Sequence, residues 1–121
     1  MKKNLLLLLI TILLPFLSAA QVPVNLQVSL TFADYAIVQW EQGSCLQQDY
    51  VLAYKDSALT NWDSIIVSNS GTGVEIVNIN GLNSQTTYNW RVKCDSIWVN
   101  GPNFSTTSCF TFNYNVTDAS C

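Results

Sequence analysis

From residue 21 onward, apolar and polar side chains alternate with a period of two, and no helical period appears. A strand turns successive side chains to opposite faces, so this pattern commits the chain to half-buried β-strands. Residues 24–30 form a first candidate, with Leu26 and Val28 on one face. Ala36, Val38 and Trp40 alternate with Tyr35, Ile37 and Gln39 in a second, which runs into the turn residues Glu41-Gln42-Gly43-Ser44. Residues 48–55 place Tyr50, Leu52 and Tyr54 together, and residues 62–68 make a shorter fourth strand. Residues 74–79 point Val77 and Ile79 inward, and residues 86–93 align Tyr88, Trp90 and Val92, a face that Cys94 continues. Residues 103–112 form the seventh, with Phe110 and Phe112 as its apolar pair. Seven short strands at intervals of about 8–12 residues read as an all-β, antiparallel two-sheet sandwich.

The first twenty residues stand outside this pattern. Lys2 and Lys3 precede an uncharged, Leu-rich run from Leu5 to Leu17, and Ser18-Ala19-Ala20 supplies small residues before a cleavage point. This is a secretory signal peptide over residues 1–20, with cleavage expected before Gln21. The apolar run is thirteen residues long, short of the roughly 20 a spanning helix needs, so no membrane span is expected after cleavage. No Cys follows the run to carry a lipid anchor.

The exported part is residues 21–121, the size of one domain. It keeps Lys55, Arg91 and Lys93 against eight acidic residues, a net charge of −5. So acidic a chain has no electrostatic reason to bind nucleic acid. Residues 21–112 contain no linker or repeat, and residues 113–121 read as a polar tail or the start of a linker. Ending at Cys121 just after that tail, the chain suits a modular parent protein.

An ordered set of motifs resembles the fibronectin type III family across residues 23 to 112. Pro23-Val24-Asn25-Leu26 resembles the start of its strand A, Ala36-x-Val38-x-Trp40 its strand B, and Tyr50-x-Leu52-x-Tyr54 its strand C. Ile79-Asn80-Gly81-Leu82 followed by Thr86-Thr87-Tyr88-x-Trp90-x-Val92 resembles its E–F crossing. There a Leu, and a Tyr six residues later, form a tyrosine corner in which the hydroxyl bonds upstream backbone. The resemblance implies a seven-stranded antiparallel immunoglobulin-like β-sandwich, with Trp40, Leu82, Tyr88 and Trp90 as structural core residues. Two departures stand out: most such domains lack disulfides, and this chain has no Arg-Gly-Asp for integrin binding.

Export permits disulfides among Cys45, Cys94, Cys109 and Cys121, which allow three pairings. In a fibronectin type III sandwich the B–C loop and the end of strand F meet at one end. That implies Cys45–Cys94, leaving Cys109–Cys121 to tie the tail to strand G, with Cys94–Cys109 across the F–G hairpin as the rival. There is no CxxC and no His, so neither a metal site nor any other cofactor is expected.

Without His, a Ser-His-Asp or Cys-His arrangement is impossible. The acids Asp34, Glu41, Asp49, Asp56, Asp63, Glu75, Asp95 and Asp118 read mostly as solvated turn or strand-end residues, so no enzyme is expected. Binding is the better reading. The F–G connection, residues 95–102, is long and apolar, and Asn100-Gly101 signals a tight turn. That predicts a protruding hairpin with Trp98 near its tip and Ile97, Trp98, Val99 and Asn100 as candidate contacts. A surface Trp offers a stacking face for a sugar or an anchor for a protein; the alternative is that Ile97, Trp98 and Val99 pack against the B–C loop or a neighbouring domain. Trp62 carries the same ambiguity, with packing favoured. Asn103-Phe104-Ser105 and Asn115-Val116-Thr117 match the N-glycosylation pattern, which acts only in a eukaryotic secretory pathway. The expectation is a secreted or cell-surface, non-catalytic module for protein interaction, adhesion or spacing, monomeric or part of a longer chain. Its partner would be an extracellular protein or glycan, and the alternative is a carbohydrate-binding accessory module of a larger hydrolase.

Overall fold

The structure is a computed structural model and describes residues 19–109. Phe110, Phe112, Cys121, the tail and most of the leader lie outside the described residues. The elements are β1 (Val24–Thr31), β2 (Tyr35–Glu41), β3 (Tyr50–Asp56), β4 (Asp63–Val67), β5 (Val74–Asn80), β6 (Thr87–Lys93), β7 (Val99–Asn100) and β8 (Phe104–Ser105). One sheet orders β1-β2-β5 and the other β4-β3-β6-β7, with β8 also on β6. All pairings are antiparallel.

The seventh strand expected at residues 103–112 is replaced, over the described residues, by two short segments along one line of β6. Val99 pairs with Val92 and Asn100 with Arg91, whereas Phe104 pairs with Tyr88 and Ser105 with Thr87. The break between them has a cause in the core. The Trp90 indole Nε1–H donates to Pro102 O at 2.8 Å, and Gly101 N–H donates to Trp90 O at 3.0 Å. Gly101 therefore lies on the Trp90 ring, where an added Cβ would come within 2.2 Å of it.

The period-two pattern places the core as read. Ala36, Val38 and Trp40 are fully buried on β2, with Tyr50 and Leu52 on β3 and Tyr88, Trp90 and Val92 on β6. Trp40 and Tyr50 meet edge to face, ring centroids 5.3 Å apart, an arrangement that aromatic quadrupoles favour. Leu26, Val28, Tyr54, Ile65 and Val77 pack against this centre from the flanks. β1 departs from regular register on both sides of its middle. Asn25 takes a left-handed φ of 53° there, a conformation Asn tolerates better than most residues, and its side chain bonds Glu41 at 2.9 Å.

The E–F crossing is pinned twice. Asn83 N–H donates to Tyr88 Oη at 2.9 Å, closing the tyrosine corner. Thr106 is buried beside it. Its hydroxyl donates to Asn83 O at 2.6 Å and accepts from Thr86 N–H at 3.0 Å. A Thr in a polar stretch gives no sequence signal of burial, so this second clamp was not legible beforehand.

Glu75 corrects the reading of the acids as solvated turn residues. It sits within β5 opposite Trp40, faces inward and is 6 % exposed. Burying a carboxylate costs energy unless it is hydrogen-bonded; here Ser70 supplies its backbone N–H at 2.7 Å and its hydroxyl at 2.9 Å. The turn that follows β4 is thereby tied to an edge strand, and an inward charge discourages that edge from pairing with another chain.

Candidate functional site

Two regions present chemistry at the surface. The first is the end of the sandwich where the β2–β3 and β6–β7 connections meet. Cys45 and Cys94 form a disulfide there, 49 residues apart in sequence with Cα atoms 6.0 Å apart. The rival Cys94–Cys109 pairing is thus excluded. Cys109 is itself disulfide-bonded, and its expected partner Cys121 lies outside the described residues. β3 and β6 are neighbours in one sheet, which brings these two ends together as the fibronectin type III resemblance implied.

Around the disulfide the surface is amide-rich, with exposed Asp49 and Asp95 at its margins. Gln42, Leu46, Gln47 and Gln48 line an open cleft of about 610 Å3, and a second cleft adds Asn69, Ser70 and Gly71. Leu46 O accepts from both Gln42 Nε2 at 3.0 Å and Asn69 Nδ2 at 3.1 Å. Those bonds fix the loop backbone while the Leu46 side chain stays 64 % exposed. Ile97, three residues beyond Cys94, is 49 % exposed.

The second region is the outer face of the β4-β3-β6-β7 sheet. Strand alternation sends Lys55, Arg91 and Lys93 outward, because Tyr54, Trp90 and Val92 point in. The Arg91 guanidinium lies 4.0 Å from the Trp62 ring centroid and 4.3 Å from that of Trp98. Lys55 Nζ is 5.4 Å from the Trp62 ring, and Lys93 Nζ is 4.6 Å from the Trp98 ring. The result is an alternating array of cations and indoles across the sheet. Each such contact contributes about 0.5–1 kcal/mol at exposed positions, and more where water is excluded. Ala53, opposite Arg91 and 2 % exposed, leaves room beneath the array.

This array relocates Trp98. The sequence placed it near the tip of a protruding hairpin turned by Asn100-Gly101. The register instead puts Asn100 opposite Arg91 and Val99 opposite Val92, so the chain reverses through the bends at residues 94–96. Trp98 lies beside Lys93, half-buried under two cations. A sugar stacking on this indole would compete with Arg91 or Lys93 for its face. Of the candidate contacts, Ile97 and Asn100 are exposed, while Trp98 and Val99 are half-buried. Trp62, read as ambiguous, packs in the same array.

Lys55, Trp62, Asn89, Arg91, Asn100 and Asn103 line a cleft of about 370 Å3 on this face. No carboxylate among the described residues lines it or either loop cleft. Among the described residues no three His, Cys, Asp or Glu side chains are grouped to hold a metal ion, and no helix is long and apolar enough to cross a membrane. Two phenols are perturbed. Burial pushes Tyr50 above its ordinary value near 10 and the Glu75 charge adds to the rise, while the nearby Trp40 indole partly offsets it. Burial likewise raises Tyr54, helped by Asp63 and Tyr88. Both are held neutral, which suits core residues rather than acid–base catalysts.

No family model matches the chain, and no curated protein matches it. Solved structures do. A computationally redesigned β-sandwich protein aligns at a TM-score of 0.61 with 19 % identity, over 74 % of this chain and 98 % of that one. A structure described as a myokine aligns at 0.58 with 21 % identity, over 74 % and 100 %. The FN5 domain of Drosophila Lar aligns at 0.59 with 17 % identity, over 74 % and 99 %. Strand order, tyrosine corner and these alignments define the class as an all-β antiparallel sandwich. More narrowly, the domain has the fibronectin type III-like fold, carrying a Cys45–Cys94 disulfide.

Proposed function

We propose that this chain is an exported, non-catalytic interaction module that grips a protein partner with the rim around Cys45 and Cys94. The fold supports a role in protein interaction. One observation carries the finer reading: the disulfide joins the two connections that bear exposed Leu46 and Ile97. A covalently fixed rim loses little loop entropy on binding, and preorganisation of this kind raises affinity. The amides of Gln42, Gln47 and Gln48 supply hydrogen bonds beside Leu46. The disulfide fits an extracellular setting, where such bonds persist. A non-catalytic role is supported by the amide and apolar side chains that line the loop clefts among the described residues and by the engagement of Glu75 with Ser70.

The test is a paired Leu46→Ser and Ile97→Ser variant, screened with the parent chain against immobilised extracellular proteins. The expected result is a saturable partner for the parent, lost in the variant with little change in melting temperature. Absence of any saturable partner would favour the spacer role instead.

A further inference from the structure

We propose that the outer face of the β4-β3-β6-β7 sheet is a docking site for an extended acidic segment of a protein partner, with carboxylates at alternate residues. The inference rests on the reading of the chain as a protein-interaction module but uses a different surface.

Charge distribution is the first argument. Residues 21–121 carry a net −5, yet their three cations, Lys55, Arg91 and Lys93, all occupy one sheet face. Within the described residues none of them meets a carboxylate. Lys55 donates to Leu59 O at 2.8 Å, and the other contacts of all three are to indole rings. A cation over an indole keeps its full charge, so the face stays positive on a negative protein. Such complementarity steers an anionic partner to this surface.

Spacing is the second argument. Arg91 and Lys93 are two residues apart on one strand, and Lys55 stands opposite Asn89, one further two-residue step along. The three charges therefore follow one another along the strand direction at about 6.5–7 Å per step. An extended peptide repeats its same-side residues at that interval. Carboxylates at positions i, i+2 and i+4 would meet Lys93, Arg91 and Lys55 in turn.

Rigidity is the third. Arg91 is clamped between Trp62 and Trp98, so its side chain has little rotamer freedom left to lose on binding. The exposed amides of Asn100 and Asn103 make no side-chain hydrogen bond within the described residues and are open to a peptide backbone. The indole faces, by contrast, are covered by cations, which disfavours a stacked sugar as the occupant.

The test titrates the secreted chain with a synthetic Glu-Ser-Glu-Ser-Glu peptide, followed by tryptophan fluorescence and calorimetry. Controls are an isomer with three contiguous Glu and an oligogalacturonate of equal charge. Saturable binding is expected, weaker for the isomer and weakened further by salt, which screens exposed charges. The Lys55→Gln and Lys93→Gln double variant should lose about three- to tenfold in affinity while remaining folded by circular dichroism, its melting temperature lowered only by the loss of two exposed cation–indole contacts and the Lys55–Leu59 bond. No saturation, equal binding by the double variant or by the isomer, or tighter binding of the oligogalacturonate would each overturn the proposal. A partner lost on Leu46 and Ile97 substitution but indifferent to the lysine changes would overturn it too, and leave the interaction role standing.

Discussion

The Tyr88 hydroxyl accepts a hydrogen bond from the backbone N–H of Asn83 at 2.9 Å. The partners are five positions apart, at the end of the connection that carries the chain from β5 in one sheet to β6 in the other. Tyr88 is 5 % exposed and its ring stacks on Phe104, so the hydroxyl is held in place at a part-buried site. It locks the crossover at the point where the two sheets must keep their alignment.

Tyr88→Phe should therefore destabilise the domain by about 1–3 kcal/mol, because the Asn83 donor loses its partner at a part-buried site. Thr106→Val removes the companion clamp on Asn83 O and Thr86 N–H and should cost a similar amount. Both variants keep the side-chain shape, and chemical denaturation measures the loss directly.

Tyr50→Phe should behave differently. The Tyr50 hydroxyl is buried and reaches no well-formed hydrogen bond among the described residues, so its removal should change stability by less than about 1 kcal/mol. The same phenol gives a pH prediction. Its folded pKa lies above the unfolded value near 10, so its contribution is complete below pH 10. Above that the unfolded chain ionises first, and stability falls as pH rises towards the folded pKa. Denaturation followed from pH 9 upward should show a decline that is shallower in Tyr50→Phe.

Gly101→Ala should destabilise by about 1–3 kcal/mol, the usual range for overpacking a filled core. Its Cβ would overlap the Trp90 ring at 2.2–2.3 Å, and backbone held by Trp90 O and the Trp90 indole has little freedom to retreat. Thermal unfolding should fall, with a changed near-ultraviolet signal from Trp90.

Replacing Cys45 and Cys94 together by Ala should cost roughly 2–4 kcal/mol, since closing a 49-residue separation restricts the unfolded chain considerably. The sandwich itself should persist, because Trp40, Leu52 and Val92 still fill the core. Secondary structure by circular dichroism should be retained at a lower melting temperature.

Much of this architecture was legible because period-two alternation and burial are the same physical fact seen twice. Ala36, Val38, Trp40, Tyr88 and Trp90 read inward, and they are inward. The Leu82-to-Tyr88 spacing announced the E–F corner. Glu75 and Thr106 were invisible for the converse reason: a polar side chain enters a core only when a distant partner satisfies it. Those partners, Ser70 for Glu75 and Asn83 and Thr86 for Thr106, are set by the turns of the fold. Trp98 was misplaced because Asn100-Gly101 is turn chemistry in isolation. The stronger constraint was the Trp90 ring, which needs a glycine against it.

The sequence by itself determined that the chain makes short strands, which faces of them are apolar, and that its cations are few. Those are local properties, carried by side-chain type and a two-residue period. The fibronectin type III resemblance implied that β3 lies beside β6 and that Cys45 finds Cys94, and only the tertiary structure establishes both. The same pairing, with β4 and β7 at its sides, gathers Lys55, Trp62, Arg91, Lys93 and Trp98 from four segments onto one surface. Register between distant strands is a property of the packed sheet, fixed by burying both apolar faces at once, and no single segment encodes it.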